Sequence, residues 1–299
     1  MLATQELGGI TERGTVPARL MDGKALAERI RGEVAEEVRE LGEIGLATVL
    51  VGDDPANDIY IRLKHKAAAE VGMNARDVRL ASQTTEEELL KEVEQLNGDD
   101  AIDGLLVQLP LPAHIDEARI IRAIDPRKDV DGLHPVNAGQ LFLGQPAHVG
   151  ATPTGVMALL GEYDVPVEGA NAVIVGRSDI VGKPAAILLL HANATVTVCH
   201  SRTKDLAAQT READILVVAV GKAAVIGPDD VREGATVIDV GMNRGEDGVV
   251  GDVDPAVAER AGLITPVPGG VGPMTIAMLL RSAVRAARYR RGLLAFPGA

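Results

Sequence analysis

Residues 172–190 read AVIVGRSDIVGKPAAILLL, and this stretch decides the fold. The apolar run Ala172 to Val175 enters a turn that opens at Gly176 and closes at Gly182. Pro184 then begins a second apolar run, Ala185 to Leu190. Strand, glycine turn and helix in that order make a phosphate-binding unit. Glycine lets the backbone approach the ligand, and the helix N-terminus offers unpaired N–H groups to an anion. Pro184 suits a first helical turn, where its missing N–H costs nothing. The spacing departs from G-x-G-x-x-G, because Arg177 and Ser178 follow the first glycine directly. A glycine turn alone also serves plain strand-to-helix connections. The next apolar strand, Thr195 to Cys199, sharpens the reading. A reader of an NAD ribose places Asp or Glu just after that strand. Here His200, Ser201, Arg202 and Thr203 stand there instead. Donors and positive charge suit a 2′-phosphate, so NADP is expected rather than NAD.

Working outward, 299 residues suffice for two domains, each with its own core. Aromatics make up only 2% and Trp is absent, so Ala, Val, Leu and Ile fill the interior, as suits helices packed on parallel sheet. The formal charge of −13 argues against nucleic acid and against an anionic membrane surface. It leaves room for a phosphorylated cofactor. Screening within about 8 Å at physiological salt lets Arg177 and Arg202 set a local positive field. Cys199 is the single cysteine, which excludes an internal disulfide and a thiolate metal cluster. No signal-peptide core or membrane-length apolar run occurs, and a cytoplasmic location is expected. Met1 to Arg19 has no sustained periodicity and reads as a loosely ordered extension.

Upstream of the glycine unit, Asp22 caps a helix that buries Leu26, Ile30, Val34, Val38 and Leu41. Leu46 to Val51 is a buried strand, followed by a helix carrying Tyr60 and Lys64 that ends near Gly72. Val78 and Leu80 mark a short strand, and Thr85 to Glu88 a capping box for a helix ending at Gly98. Ile102 to Leu109 is a further strand, and Asp116 opens a helix that ends before Pro126. This β-α alternation predicts a parallel α/β domain. Residues 127–155 break the rhythm and are read as the crossing between domains. Beyond the glycine unit, strands are expected at Ile215 to Val220 and Thr236 to Val240, ending at Gly221 and Gly241. Such strand ends admit ligand in this fold. TPVPGGVGPMT, 265–275, is read as irregular, and Thr275 to Arg290 as a helix returning to the first domain.

Tyr60 and Lys64 are four apart and share a helix face. From spacing alone the weightier reading is a solvated lysine beside a half-buried tyrosine. Gln108 ends the strand of LLVQLPLP, where a buried amide needs a partner. Asp131 stands beside a glycine in KDVDG, which is also ordinary turn chemistry. A lysine, an amide and a carboxylate converging on one cleft supply base, orienter and anchor. His65, His114, His134, His148 and His191 follow no ligand spacing and read as structural or surface groups, and His200 reads equally as a neighbour of the nucleotide or as a satisfied loop histidine. No metal site is expected.

Seven stretches carry a resemblance: YIRLKHKAAAEVG, GLLVQLPLP, KDVDGLHPVNAG, TPTG, VIVGRSDIVGKP, ATVTVCHSRT and TPVPGGVGPMT. Together and in this order they resemble the bifunctional methylenetetrahydrofolate dehydrogenase/methenyltetrahydrofolate cyclohydrolase family, from about residue 20 to 290. The resemblance implies a parallel-sheet catalytic domain at 20–145 and 275–292, and a Rossmann-like NADP domain at 146–274. It implies a homodimer through the nucleotide domain and tetrahydrofolate derivatives as substrates. The implied chemistry is oxidation of 5,10-methylenetetrahydrofolate with NADP⁺, then hydrolysis of the 5,10-methenyl product to 10-formyltetrahydrofolate. By the same resemblance Tyr60 stacks on the folate, Lys64 is the central lysine, Gln108 bonds it and Asp131 holds the pterin amino group. Leu109 and Pro268, Gly269 and Gly270 line the folate. Thr154, Gly176, Arg177, Ser178, Val181, Gly182, His200, Ser201, Arg202, Val220, Gly221 and Gly241 lie along the cofactor, with Arg177 and Ser201 on its 2′-phosphate. The family often has Ser three residues before the tyrosine, where this chain has Asn57. Two rivals are a shikimate-dehydrogenase-like enzyme, which has no need of the Tyr60–Lys64 spacing, and an NADP sensor without turnover.

Overall fold

The computed structural model describes residues 18–52, 55–245 and 248–297, the side chains of 55–60 excepted. Two lobes of parallel α/β structure face each other. In chain order the elements are β1 (Arg19–Leu20), α1 (Gly23–Leu41), β2 (Gly45–Val51), α2 (Pro55–Glu70), β3 (Asn74–Leu80), α3 (Glu86–Gly98), β4 (Gly104–Val107) and α4 (Glu117–Ala123). Then come α5 (Pro135–Phe142), α6 (Ala151–Glu162), β5 (Asn171–Val175), α7 (Gly182–His191), β6 (Thr195–Cys199), α8 (Leu206–Thr210), β7 (Ile215–Val218) and β8 (Thr236–Asp239). A hairpin of β9 (Asn243–Gly245) and β10 (Gly248–Val250), β11 (Leu263–Ile264) and α9 (Val271–Arg290) complete the chain.

The local signals explain the starts of these elements. Asp22 accepts a hydrogen bond from the Ala25 N–H at 3.0 Å and caps α1. Thr85 and Glu88 close the capping box of α3 reciprocally. The first lobe has a three-stranded parallel sheet in the order β3-β2-β4. Leu46 points to a core shared with α1 and α9, while Ala47, Val49 and Val51 point to α3 and α4. The second lobe has a six-stranded parallel sheet in the order β1-β11-β8-β7-β5-β6.

Four expectations change. The loose extension was taken through Arg19 and the first domain from residue 20. Instead Arg19 and Leu20 pair in parallel with Leu263 and Ile264, adding an edge strand to the second lobe. The remainder of the extension lies outside the described residues. A two-residue strand has no periodicity of its own, so only its partner reveals it. The crossing at 127–155 holds α5 and the start of α6. Pro135 and Pro153 both fall in first helical turns, where proline is tolerated. The strands expected at 102–109, 215–220 and 236–240 are shorter, running over Gly104–Val107, Ile215–Val218 and Thr236–Asp239. Of the residues beyond them, Gln108, Leu109 and Val240 line the cavity between the lobes. Finally, α9 begins at Val271 rather than Thr275, because Pro273 again occupies a first turn.

The long α9 runs back over the first lobe, packing on α1 and on α6. Its buried face includes Met274, Met278, Leu279, Leu280 and Val284. Each such side chain is worth roughly 1.5–3 kcal/mol on burial. The partly exposed Arg288–Glu37 pair (2.9 Å) contributes about 0–1 kcal/mol, so apolar packing anchors the helix. At its end Arg290 donates to Asp103 at 2.9 Å, and Tyr289 meets His148 edge-on with ring centroids 5.3 Å apart. His148 itself is buried in the joint, its ring bonded to Ser282 Oγ (3.0 Å) and to the Arg127 carbonyl (2.9 Å).

Candidate active site between the lobes

Lys64 projects from α2 and is only 8% exposed. Its Nζ donates to Gln108 Oε1 at 3.0 Å. Gln108 is fixed in turn, since its N–H donates to the Val49 carbonyl (2.8 Å) and its Nε2 to the Leu109 carbonyl (3.0 Å). The half-buried amide has found a partner, and that partner is the lysine. Burial lowers the Lys64 amine from its ordinary value, against the opposing pull of Asp131. Asp131 moves the other way: burial pushes its carboxyl up to about 6, with Lys64 opposing and Asp129 adding to the rise.

The turn that delivers Asp131 is built by Asp129, a residue that motif reasoning passed over. Asp129 is buried and accepts from the His134 N–H and from Asn137 Nδ2, both at 2.8 Å. Gly132 has φ +65°, and a Cβ there would sit 2.8 Å from the His148 carbonyl oxygen. The Asp-Gly pair is thus both a turn requirement and a packing requirement. Asp129 and Asn137 lie inside KDVDGLHPVNAG, so a signal existed: an acidic residue two before Asp131 with an amide close behind.

Lys64, Gln108, Leu109 and Asp131 line a cavity of about 370 Å³ between the lobes. Its opposite wall includes Thr152, Val240, Met242 and Val271. Thr152 and Thr275 share a hydroxyl hydrogen bond of 2.9 Å across α6 and α9. Thr152 lies in TPTG, and Val271 and Thr275 lie in TPVPGGVGPMT, but only the packing of the lobes sets them opposite Lys64. Pro268, Gly269 and Gly270 were expected to line the folate. They are not among the residues lining this cavity, whereas Val271 and Gly272, the first residues of α9, are. The Tyr60 and Asn57 side chains lie outside the described residues.

At the second lobe the glycine turn is stereochemically obligatory. Gly176 has φ +132°, and a Cβ on it would lie 2.3 Å from the Ala219 carbonyl oxygen. A Cβ on Gly182 would lie 2.3 Å from the Gly176 carbonyl oxygen. Ser178 Oγ accepts from the Val181 and Gly182 N–H groups at 3.2 and 3.4 Å, so it organises the start of α7. Arg177, Ser201 and Arg202 are exposed near the carboxyl ends of β5 and β6. His200 Nδ1 accepts from the Arg202 N–H at 3.1 Å, and the His200 N–H donates to Thr203 Oγ1 at 2.8 Å, which sets that turn. Exposed cations, a bare-backbone turn, the α7 N-terminus and no carboxylate after β6 suit the phosphates of NADP.

Four expected cofactor positions make contacts within the protein. The Thr154 hydroxyl donates to the Gly150 carbonyl within its own helix at 2.9 Å. The Val220 and Gly221 N–H groups both donate to Asp252 Oδ2, at 2.6 and 2.9 Å. Gly241 is buried, and a Cβ there would lie 2.3 Å from Asp252 Cγ. Asp252 and the neighbouring Asp239 are fully or almost fully buried carboxylates that sequence reasoning missed. Each sits at the end of an apolar run with no motif around it that separates it from turn chemistry.

Comparison with known proteins agrees with this geometry. Residues 21–131 match the family profile described as tetrahydrofolate dehydrogenase/cyclohydrolase, catalytic domain. Residues 150–291 match the NAD(P)-binding domain of the same family. The bifunctional protein FolD of Halothermothrix orenii is 54% identical over 278 residues, covering 91% of this chain and 98% of that one. The crystal structure of the bifunctional FolD methylenetetrahydrofolate dehydrogenase/cyclohydrolase from Campylobacter jejuni superimposes with a TM-score of 0.89. It is 48% identical, covering 91% of this chain and 99% of the other. The Trypanosoma brucei methylenetetrahydrofolate dehydrogenase-cyclohydrolase, solved with NADP cofactor and inhibitor, gives a TM-score of 0.88. Its identity is 42%, over 94% of this chain and all of that one. Coverage of both lobes at these identities sets aside the shikimate-dehydrogenase-like reading. The chain belongs to the tetrahydrofolate dehydrogenase/cyclohydrolase family.

Proposed function

We propose that this chain oxidises 5,10-methylenetetrahydrofolate with NADP⁺ and hydrolyses the resulting 5,10-methenyltetrahydrofolate to 10-formyltetrahydrofolate. The observation that carries the reading is the Lys64–Gln108 bond of 3.0 Å facing Asp131 across one cavity. NADP, when bound, supplies the hydride acceptor. Gly176 and Gly182 let the turn close on its own backbone, the α7 N-terminus would meet the phosphates, and Arg177, Ser201 and Arg202 would meet the 2′-phosphate. For the oxidation the protein's task is alignment of the one-carbon bridge, which tight positioning accomplishes. Tyr60 stacks on the folate, and Asp131 accepts from the paired N–H donors of the pterin edge. With a carboxyl near 6, Asp131 is mostly ionised at pH 7 and fit for that purpose.

Hydrolysis asks more of the side chains. Water adds to the methenyl cation, and a proton must leave the water and later reach the departing ring nitrogen. Burial lowers the Lys64 amine, and a cationic substrate beside it lowers it further, so the neutral amine is available to take the proton. Gln108 holds the amine in place through its carbonyl oxygen.

The same reading takes the protein as a homodimer through the second lobe. There β6 is the edge strand among the described residues, and Val198, Leu190, Phe142 and Leu143 are exposed near it. An open strand edge beside apolar surface is a pairing surface. A cytoplasmic location goes with this chemistry, and no helix among the described residues is long and apolar enough to cross a membrane.

The deciding experiment supplies 5,10-methylenetetrahydrofolate with NADP⁺ or NAD⁺ and follows methenyl absorbance as it forms and decays. NADP⁺-dependent formation followed by enzymatic decay is expected. Absence of turnover would return the protein to the class of cofactor-binding sensors. Sedimentation of the same preparation reports whether it is a dimer.

A further inference from the structure

One buried carboxylate outside the cavity makes more hydrogen bonds than its surroundings require. Asp252 is 0% exposed. Its Oδ2 accepts from the backbone N–H groups of Val220 (2.6 Å) and Gly221 (2.9 Å). Its Oδ1 accepts from the Lys222 backbone N–H and from Asn243 Nδ2, both at 2.9 Å. A carboxylate has about four acceptor sites, and all are filled, two on each oxygen. The charge is met by converging N–H dipoles, the arrangement by which backbone stabilises an anion. The residue is itself held: its N–H donates to Asp239 Oδ1 at 2.9 Å. Asp239 also accepts from Gly241 (2.9 Å) and Val253 (3.0 Å). Two glycines make room for the pair, since a Cβ on Gly241 would strike Asp252 and one on Gly251 would lie 1.8 Å from Asp239 Oδ2.

What these bonds tie together gives them meaning. The loop from Val220 to Lys222 is exposed and follows β7 directly. Its neighbour Ala219 is the residue whose carbonyl packs against Gly176 of the phosphate turn. On the other side, Gly241 to Asn243 carries Met242, which lines the cavity. The chain on either side is pinned by backbone: the Ala219 N–H donates to the Val175 carbonyl and the Val225 N–H to the Asp252 carbonyl, both at 2.8 Å. The exposed loop between them would cost affinity if it had to be ordered on binding. Fixing it beforehand removes that cost.

We infer that Asp252 is a positioning residue for the cofactor, holding the Val220–Lys222 loop in its binding conformation and locking it to the cavity wall at Met242. This rests on the proposal that NADP lies along the Gly176–Gly182 turn. Asp252 touches neither substrate nor reacting atoms, so its removal should weaken cofactor binding and spare the chemical step.

The test is NADPH affinity by fluorescence titration, together with kcat and both Michaelis constants, in the parent, Asp252→Asn and Asn243→Ala. In Asp252→Asn an NH₂ group faces two N–H donors, whichever way the amide turns. A bond to a charged acceptor is lost, equivalent to about tenfold or more in affinity. The expected result is that rise in the NADPH dissociation constant and in the Michaelis constant for NADP⁺. The folate Michaelis constant stays within about twofold of the parent, and so does kcat at saturating cofactor. Asn243→Ala removes one donor of four and should weaken NADPH by roughly threefold. A folded Asp252→Asn protein that binds NADPH as tightly as the parent overturns the proposal. So does a loss of kcat and folate affinity with NADPH binding intact. Should Asp252→Asn not fold, Asn243→Ala decides, and unchanged NADPH affinity there overturns it. A parent that binds no NADPH at all instead refutes the cofactor reading, and this proposal falls with it.

Discussion

The two ends of the cleft solve opposite electrostatic problems. At the first lobe the Lys64 amine is 8% exposed and bonded to Gln108. At the second, Arg177, Ser201 and Arg202 are exposed, and what the fold fixes is the backbone beneath them. A group that must exchange a proton near neutrality has to be moved off its ordinary pKa, which takes burial and a nearby charge. A cation that must meet a phosphate has no proton to exchange in doing so. It gains nothing from burial before the ligand arrives, since burying an unpaired cation is costly. The chain therefore fixes side chains around Lys64 and backbone at the Gly176–Gly182 turn, as the proposed roles of the two ends require.

The comparison breaks most visibly at Lys64. In Lys64→Met the amine is gone while much of the side-chain volume remains. Loss of a general acid–base group costs about 10²–10⁴ in rate. Cyclohydrolase activity should fall by that factor while part of the dehydrogenase activity survives, so methenyltetrahydrofolate accumulates. Conversion of methenyl to 10-formyl at the parent rate would reduce Lys64 to a positioning role.

If burial is the tuning force, it must act with the same logic away from the chemistry, and His148 in the joint between the lobes offers the check. Burial, helped by Arg285, lowers its ring to about 4 against the opposing Arg127 carbonyl bond and Asp125. The folded value lies below the unfolded value of about 6.5. The unfolded state therefore binds the extra proton between those values. The stabilisation is complete above pH 6.5 and is lost as pH falls toward 4, a change of about 3 kcal/mol. His148→Gln should be less stable than the parent at pH 7, and the gap should close by pH 4. A gap that is constant with pH in denaturant titrations would remove the joint from this account.

The exposed end is tested by Arg177→Ala. A charge-assisted contact is worth about 1.5–3 kcal/mol, so the Michaelis constant for NADP⁺ should rise roughly tenfold to a hundredfold, with that for NAD⁺ nearly unchanged. Equal losses with both cofactors would mean that Arg177 supports the turn rather than the 2′-phosphate. The smallest effect is expected in the pH profile. Protonation of Asp131 should give kcat/KM for the folate an acid limb near pH 6, so that activity at pH 5 is about tenfold down. In Asp131→Asn the limb should vanish along with most folate affinity. A limb that persists belongs to another group.

Much of this was open to a reader of residues. The Asp22 cap, the Thr85–Glu88 box and the Gly176–Gly182 turn depend on neighbours within one or two turns of chain, and each stands where its residues put it. The helical start at Val271 was hidden by the glycines and prolines around it, whose averages describe a loop although a first turn tolerates them. Lys64, Gln108 and Asp131 were legible as candidates, each with an ordinary explanation beside it.

The sequence by itself determined the alternation of strands and helices, the bare-backbone turn and the absence of a carboxylate after the second nucleotide strand. These are properties of residues adjacent in the chain, set by sterics and by capping. Only the tertiary structure decided that Lys64 meets an amide 44 residues away, that Asp252 holds a loop 32 residues before it, and that Arg19 and Leu20 join the second sheet rather than the first. The reason is physical. A pKa depends on the dielectric and charges that packing brings around a group, and a buried hydrogen bond on which elements face each other. Neither is a property of any stretch of chain taken alone.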